Sequence, residues 1–166
     1  MPKEYTSDYI NAELSSRSEN EGLARVIVSA FAARLDPTLE ELDDVRTAVS
    51  EAVTNAIIHG YAGKEGSIHL CCRIEGQTLT ITVEDHGIGI ADLDQAMQPL
   101  YTSKPEEERS GMGFTMMQTF MDELTVDSIP NQGTKVVMRK SFRLLPEETA
   151  DSGADPQSAA GRCAEP

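Results

Sequence analysis

The chain has 166 residues, 39% hydrophobic and 25% charged, which suits a globular domain with one real core rather than a disordered or fibrous chain. Its 14 Lys and Arg against 28 Asp and Glu leave a net charge of −14, so it lacks the basic face of a nucleic-acid binder and does not suit an anionic membrane surface. No apolar run approaches the roughly 20 residues of a membrane span, and the start, Met1-Pro2-Lys3-Glu4-Tyr5, lacks the apolar stretch of a signal peptide.

The alternation of Ile10, Ala12 and Leu14 predicts a short strand over Asp8 to Leu14. Glu21 to Leu35 reads as a helix with Leu23, Val26, Ile27, Ala30 and Phe31 on its inner face. Asp36-Pro37 ends it, and Thr38, with Glu41 three residues on, opens a second helix through a capping box. The apolar stripe of that helix runs through Leu42, Val45, Val49, Ala52, Val53 and Ala56, and Gly60 marks its end. Two strands follow, one carrying Ile68, Leu70, Cys72 and Ile74 and the other Leu79, Ile81 and Val83, joined at Glu75-Gly76-Gln77. Residues 86–112 show little regular pattern, and a loop this long is usually functional. A third helix starts at Gly113 with Phe114, Met117, Phe120 and Met121 inward. The last two strands, Leu124–Ser128 and Thr134–Phe142, flank the turn Pro130-Asn131-Gln132-Gly133. The order β-α-α-β-β-loop-α-β-β predicts an α+β fold, a two-layer sandwich with helices on one face of a mixed, largely antiparallel sheet.

From Pro146 the sequence loses apolar periodicity and gathers Pro, Gly, Ala, Ser and acids. It divides into one domain over residues 1–145 and a disordered acidic tail over 146–166. Cys71, Cys72 and Cys163 form neither a disulfide framework nor a zinc spacing, and small buried thiols point to a reducing cytosol.

Three features carry chemistry. Glu51 and Asn55 are neighbours at i, i+4, about 6 Å apart beside the apolar stripe of the second helix. A carboxylate and a carboxamide there suit proton acceptance and a hard cation such as Mg²⁺, which accepts one or two protein oxygens and completes its shell with water and phosphate. The same pair also suits a solvated helix edge. Asp85 follows Leu79, Ile81 and Val83 at period two, which turns it inward, where a carboxylate needs donors. It opens Asp85-His86-Gly87-Ile88-Gly89, whose glycines either admit a planar ligand close to the backbone or mark an ordinary turn. Ser110-Gly111-Met112-Gly113 precedes a helix whose free N–H groups and dipole suit a phosphate; Lys104 and Arg109 lie in the loop before it. A helix start that simply needs glycine fits that segment as well. Gly63-Lys64-Glu65 makes no P-loop, and His59, His69 and His86 lack metal-ligand spacing.

Glu-x-x-x-Asn on a helix, Asp-x-Gly-x-Gly after a strand, a long loop and Gly-x-Gly at a helix start, in that order, resemble the GHKL superfamily of ATPases and kinases. Ser50-Glu51-Ala52-Val53-Thr54-Asn55-Ala56-Ile57-Ile58-His59-Gly60-Tyr61 resembles the corresponding box of the bacterial anti-sigma serine kinases. Gln98 to Pro105, followed by Glu108-Arg109-Ser110-Gly111-Met112-Gly113-Phe114, resembles the lid of the sporulation anti-sigma F factors. The resemblance spans roughly residues 8–142. It implies a Bergerat-type ATP fold in the cytoplasm that inhibits sigma F and phosphorylates a serine on an anti-anti-sigma protein, with ATP and Mg²⁺ as cofactors. It gives Glu51 the role of general base, Asn55 that of Mg²⁺ ligand and Asp85 that of adenine reader. Gly87 and Gly89 then line the base pocket, and Thr134 supports Asp85 through water. Lys104, Arg109, Ser110, Gly111 and Gly113 surround the phosphates, and Arg25 meets the protein partners. It also implies a homodimer through the first strand and helix. Two departures stand out: Phe114-Thr115 replaces a further glycine, and His86 sits where an acid is common.

Two other readings share these residues. One is a general stress (sigma B type) anti-sigma kinase, the other a non-catalytic module that binds a sigma factor under nucleotide control. A histidine kinase would need a phosphoacceptor His at mid-face of a helix, and neither of the first two helices carries one.

Overall fold

The computed structural model describes residues 7–99 and 112–143. Lys104, Arg109, Ser110 and Gly111, and the predicted tail 146–166, lie outside the described residues.

Five strands form one sheet in the order β1-β2-β3-β5-β4: β1 Ser7–Ser15, β2 Ser67–Glu75, β3 Thr78–Asp85, β4 Glu123–Ile129 and β5 Gly133–Ser141. Each neighbouring pair is antiparallel, where a mixed, largely antiparallel sheet was expected. Alternation sets the inner face. On β3, Leu79, Ile81, Val83 and Asp85 are buried and the residues between them are not. In register with them stand Leu70 and Cys72 of β2 and Val136 and Met138 of β5, all buried.

Helix α1 (Glu19–Ala32) and helix α2 (Leu39–Asn55) cover that face. The capping box is present as the sequence predicts: Thr38 Oγ1 accepts from the Glu41 amide at 3.2 Å, and a Glu41 carboxylate oxygen accepts from the Thr38 amide at 2.8 Å. Val45, Ala48, Val49, Ala52 and Val53 are the buried residues of α2. The face of α1 differs from the expected one. Ala24, Val28, Phe31 and Ala32 are buried, whereas Leu23 and Val26 are 47% and 62% exposed and Ala30 is exposed. Ala24 and Ala32 let α1 lie close against its neighbours; Phe31 and the partly buried Ile27 pack inward as expected, and Leu23 and Val26 are left on the outside.

The chain leaves α2 through a single π-turn, Ala56–Gly60. The expected irregular segment contains a four-residue helix, α3 (Leu93–Ala96), capped by Asp92 Oδ1 on the Gln95 amide at 2.9 Å. Helix α4 (Gly113–Phe120) packs on α2 with Met117 fully buried. Lys140, on the inward row of β5 and only 9% exposed, bridges Asp44 of α2 at 3.2 Å and the Phe120 carbonyl at 2.8 Å. Its cation meets the negative end of α4 and fixes that helix to α2.

Candidate functional site

One row of side chains crosses all five strands at the same end of the sheet. Leu14 pairs with Ile68, Ile68 with Asp85, Asp85 with Thr134 and Thr134 with Ser128. Between this end of the sheet and the C-terminal part of α2 opens a cavity of about 360 Å³. Asn55 and His59 come to it from the helix side, Asp85 and Thr134 from the sheet, Gly89 from the loop after β3, and Gly113 from the start of α4.

Asp85 is 5% exposed. Burial pushes its carboxyl above the ordinary range, and backbone N–H donors from Gly87 and Thr134 work against that shift. The Gly87 amide donates to Oδ1 at 2.9 Å. A buried acceptor facing an apolar-walled cavity suits a flat ligand that brings its own N–H donor.

The loop after β3 is held from three sides. The Ile88 amide donates to the Gly60 carbonyl at 2.9 Å, the Asn131 amide to the Ile88 carbonyl at 2.7 Å, and the Ile90 amide to Ser128 Oγ at 2.8 Å. Gly89 has φ of +67° and lines the cavity, so its position favours glycine on backbone grounds. At Gly87 a side chain would fall 2.0 Å from the Gly60 carbonyl oxygen, so its bareness admits the end of α2. His86 is exposed, and its ring meets His69 edge-on at 5.6 Å instead of facing the cavity.

Glu51 and Asn55 lie on the half-buried edge of α2. Gly113 comes so close that a Cβ there would sit 3.2 Å from both side-chain polar atoms of Asn55 and 3.2 Å from Glu51 Oε2. Thus the carboxylate, the carboxamide and the first residue of α4 converge at one point. Met112, which precedes α4, supplies no side-chain cap, and first-turn N–H groups of a helix are a ready anion site. One carboxamide oxygen next to such a site fits an octahedral cation that takes most of its shell from phosphate and water; among the described residues no group of three or more His, Cys, Asp or Glu forms a full protein cage.

Thr134 faces the cavity with its hydroxyl 2.9 Å from that of Ser128. Ser128 is a site residue that sequence reasoning missed: it accepts from Ile90, meets Thr134 and donates to the Gly133 carbonyl at 3.1 Å. The signal was available, since Leu124, Val126 and Ser128 share one parity on β4. Gly60 and Tyr61 were missed as well. The Tyr61 hydroxyl accepts from the His86 amide at 3.0 Å and donates to the Ser67 carbonyl. Arg25 is not brought to the cavity. It is half-exposed on α1, paired with Glu21 at 3.2 Å, in a groove shared with Arg46 and Thr47 of α2.

Comparison with known proteins agrees with this geometry. Residues 14–140 match the histidine kinase-like ATPase domain family. The anti-sigma F factor of Clostridium kluyveri is 62% identical over 133 residues, covering 80% of this chain and 94% of the relative. That of Clostridium acetobutylicum is 59% identical over 130 residues, covering 78% and 91%. Among solved structures, the RsbU and RsbW domains of a Mycobacterium tuberculosis protein match with a TM-score of 0.59 at 17% identity, over 81% of this chain and 32% of the other. The catalytic domain of the histidine kinase ThkA matches with a TM-score of 0.52 at 13% identity, over 80% and 96%. The last two likenesses concern the fold alone.

Proposed function

Because this chain belongs to the anti-sigma F factors, built on a histidine kinase-like ATPase domain, we propose that it binds and inhibits a sigma factor of the sigma F type and uses Mg-ATP to phosphorylate a serine on an anti-anti-sigma protein in the cytoplasm, in control of sporulation transcription. The observation that carries the kinase reading is the convergence of Glu51, Asn55 and Gly113 at one mouth of a cavity whose wall also holds the buried Asp85.

In this reading Asp85 accepts from the exocyclic amine of adenine, Gly89 and Thr134 flank the base, and Ser128 holds the loop that carries Gly89. The first amides of α4 bind the phosphates. Glu51 stands beside them as the base that takes the proton from the acceptor serine as its oxygen bonds to the γ-phosphorus and the bond from that phosphorus to the bridging oxygen breaks, releasing ADP. Asn55 holds Mg²⁺, which when bound neutralises charge on the phosphate oxygens. Gly111, Ser110, Lys104 and Arg109 complete the phosphate surround.

Arg25, exposed beside the α1–α2 groove, is the proposed contact to the protein partners. An acidic chain of net charge −14 draws basic surfaces of a partner by long-range attraction. The chain is proposed to act as a homodimer through β1 and α1. The open edge of β1 and the exposed Tyr9, Ile10, Leu23 and Val26 support that surface.

The test is gel filtration of the chain with purified sigma F and with sigma B, each with Mg-ATP. Co-elution with sigma F, weakened by Arg25→Glu, is expected. Co-elution with sigma B alone favours the general stress sibling, and co-elution with neither ends the anti-sigma reading.

A further inference from the structure

The π-turn at the end of α2 brings Gly60 against the carboxylate of Asp85. A Cβ built on Gly60 would lie 2.8 Å from Asp85 Oδ1, 2.9 Å from Cγ and 3.1 Å from Oδ2, and these are its three nearest neighbours. The same residue receives the Ile88 amide on its carbonyl at 2.9 Å, and that carbonyl occupies the space a side chain on Gly87 would need. The next residue, Tyr61, holds the His86 amide through its hydroxyl at 3.0 Å. The end of α2 therefore touches the loop at Asp85, His86, Gly87 and Ile88. A π-turn adds one residue to a helical turn and often marks a functional site; here it delivers a bare backbone to the point where the carboxylate rests.

From this packing we infer that Gly60 is a positioning residue for base selection: its missing side chain lets the Asp85 carboxylate lie against the helix end and face the cavity at the depth where it accepts from an exocyclic amine. Asp has only two side-chain torsions, and its alternatives here are limited by the Gly87 amide at 2.9 Å. All three atoms that a methyl group at residue 60 would crowd belong to the Asp85 carboxylate, so it is this group that has to give way. The carboxylate must turn, and its amine-accepting oxygen leaves its place. Gly60 itself lines the cavity, and the role inferred for it here is exerted through Asp85. The inference rests on the reading that the cavity takes an adenine nucleotide.

The experiment measures binding of ATP and of purine riboside triphosphate, which lacks the exocyclic amine, to the full chain and to Gly60→Ala. The natural chain is expected to prefer ATP by roughly ten- to a hundred-fold, the range for a hydrogen bond to a charged acceptor. Gly60→Ala is expected to lose most of that preference by weakening ATP while leaving the analogue nearly unchanged. A general loss of structure would weaken both ligands alike and would not move the ratio. If Gly60→Ala does not fold, the Asp85→Ala background decides. A double variant that folds and binds as Asp85→Ala alone supports the inference, since the obstacle has gone; one that stays unfolded overturns it. A Gly60→Ala chain that keeps the full preference for ATP overturns the role of Gly60 and leaves that of Asp85 standing. A natural chain that holds both nucleotides equally removes the base-reading role of Asp85 and this inference with it.

Discussion

Asp85 Oδ1 accepts the Gly87 amide at 2.9 Å from within a burial that leaves the residue 5% exposed. Burial wins over the backbone donors, so the carboxyl titrates above its ordinary 3.8. With a folded pKa above the unfolded one, the folded chain binds more protons, and stability from this group is lost as pH rises from about 3.8 through the raised value. The ionised form is the better acceptor for an amine. ATP affinity is therefore expected to rise with pH over that same window, by up to about tenfold per pH unit. Calorimetric titration against Asp85→Asn checks it: the variant's profile should lack that rise, and equal profiles would remove Asp85 from ligand recognition.

Gly113→Ala places a methyl 3.2 Å from Asn55 and Glu51. The side chains can give by a few tenths of an ångström, so the fold is expected to hold. Small misplacements of catalytic groups are costly. We expect phosphoryl transfer to fall about tenfold or more, beyond any loss of ATP affinity; single-turnover kinetics beside equilibrium binding separate the two.

Tyr61→Phe deletes the hydroxyl that sits between the His86 amide and the Ser67 carbonyl. The part-buried partners lose their bonds, with an expected cost of about 0.5–1.5 kcal/mol. Chemical denaturation measures it, and an unchanged midpoint would contradict the assigned contacts.

Lys140→Met leaves Asp44 without its cation and the Phe120 carbonyl without its donor. Asp44 is 26% exposed on its side chain and can recover water, so the expected loss is about 1–3 kcal/mol rather than the full penalty of a sealed charge. Hydrogen exchange should show the C-terminal end of α4 opening first. Uniform protection would place the anchor elsewhere.

Much of the sheet and of α2 was legible in the sequence because single local rules govern them. Period two turned Asp85 inward, and the Thr38–Glu41 capping box began α2. The face of α1 was not legible in the same way. Apolar spacing marks positions without saying what covers them, and Leu23 and Val26 remain uncovered while Ala24 and Val28 pack. The site divides along the same line. Glu51 and Asn55 announce each other by i, i+4 spacing, and Ser128 was readable by strand parity. Gly60, Tyr61 and Gly87 matter through approaches between segments distant in sequence, which no local pattern records. The short α3 escaped because one helical turn offers too few residues for a period, though Asp92 and Gln95 carried its cap.

The central claim is phosphoryl transfer from ATP to a serine. The direct measurement mixes the chain with Mg²⁺, γ-labelled ATP and a purified anti-anti-sigma protein, beside Glu51→Ala and Asn55→Ala. The account predicts serine-linked label on the partner with the natural chain and its loss in both variants. Nucleotide binding without any transfer of label would contradict it, and would leave a sigma-binding protein whose nucleotide serves only to set its shape.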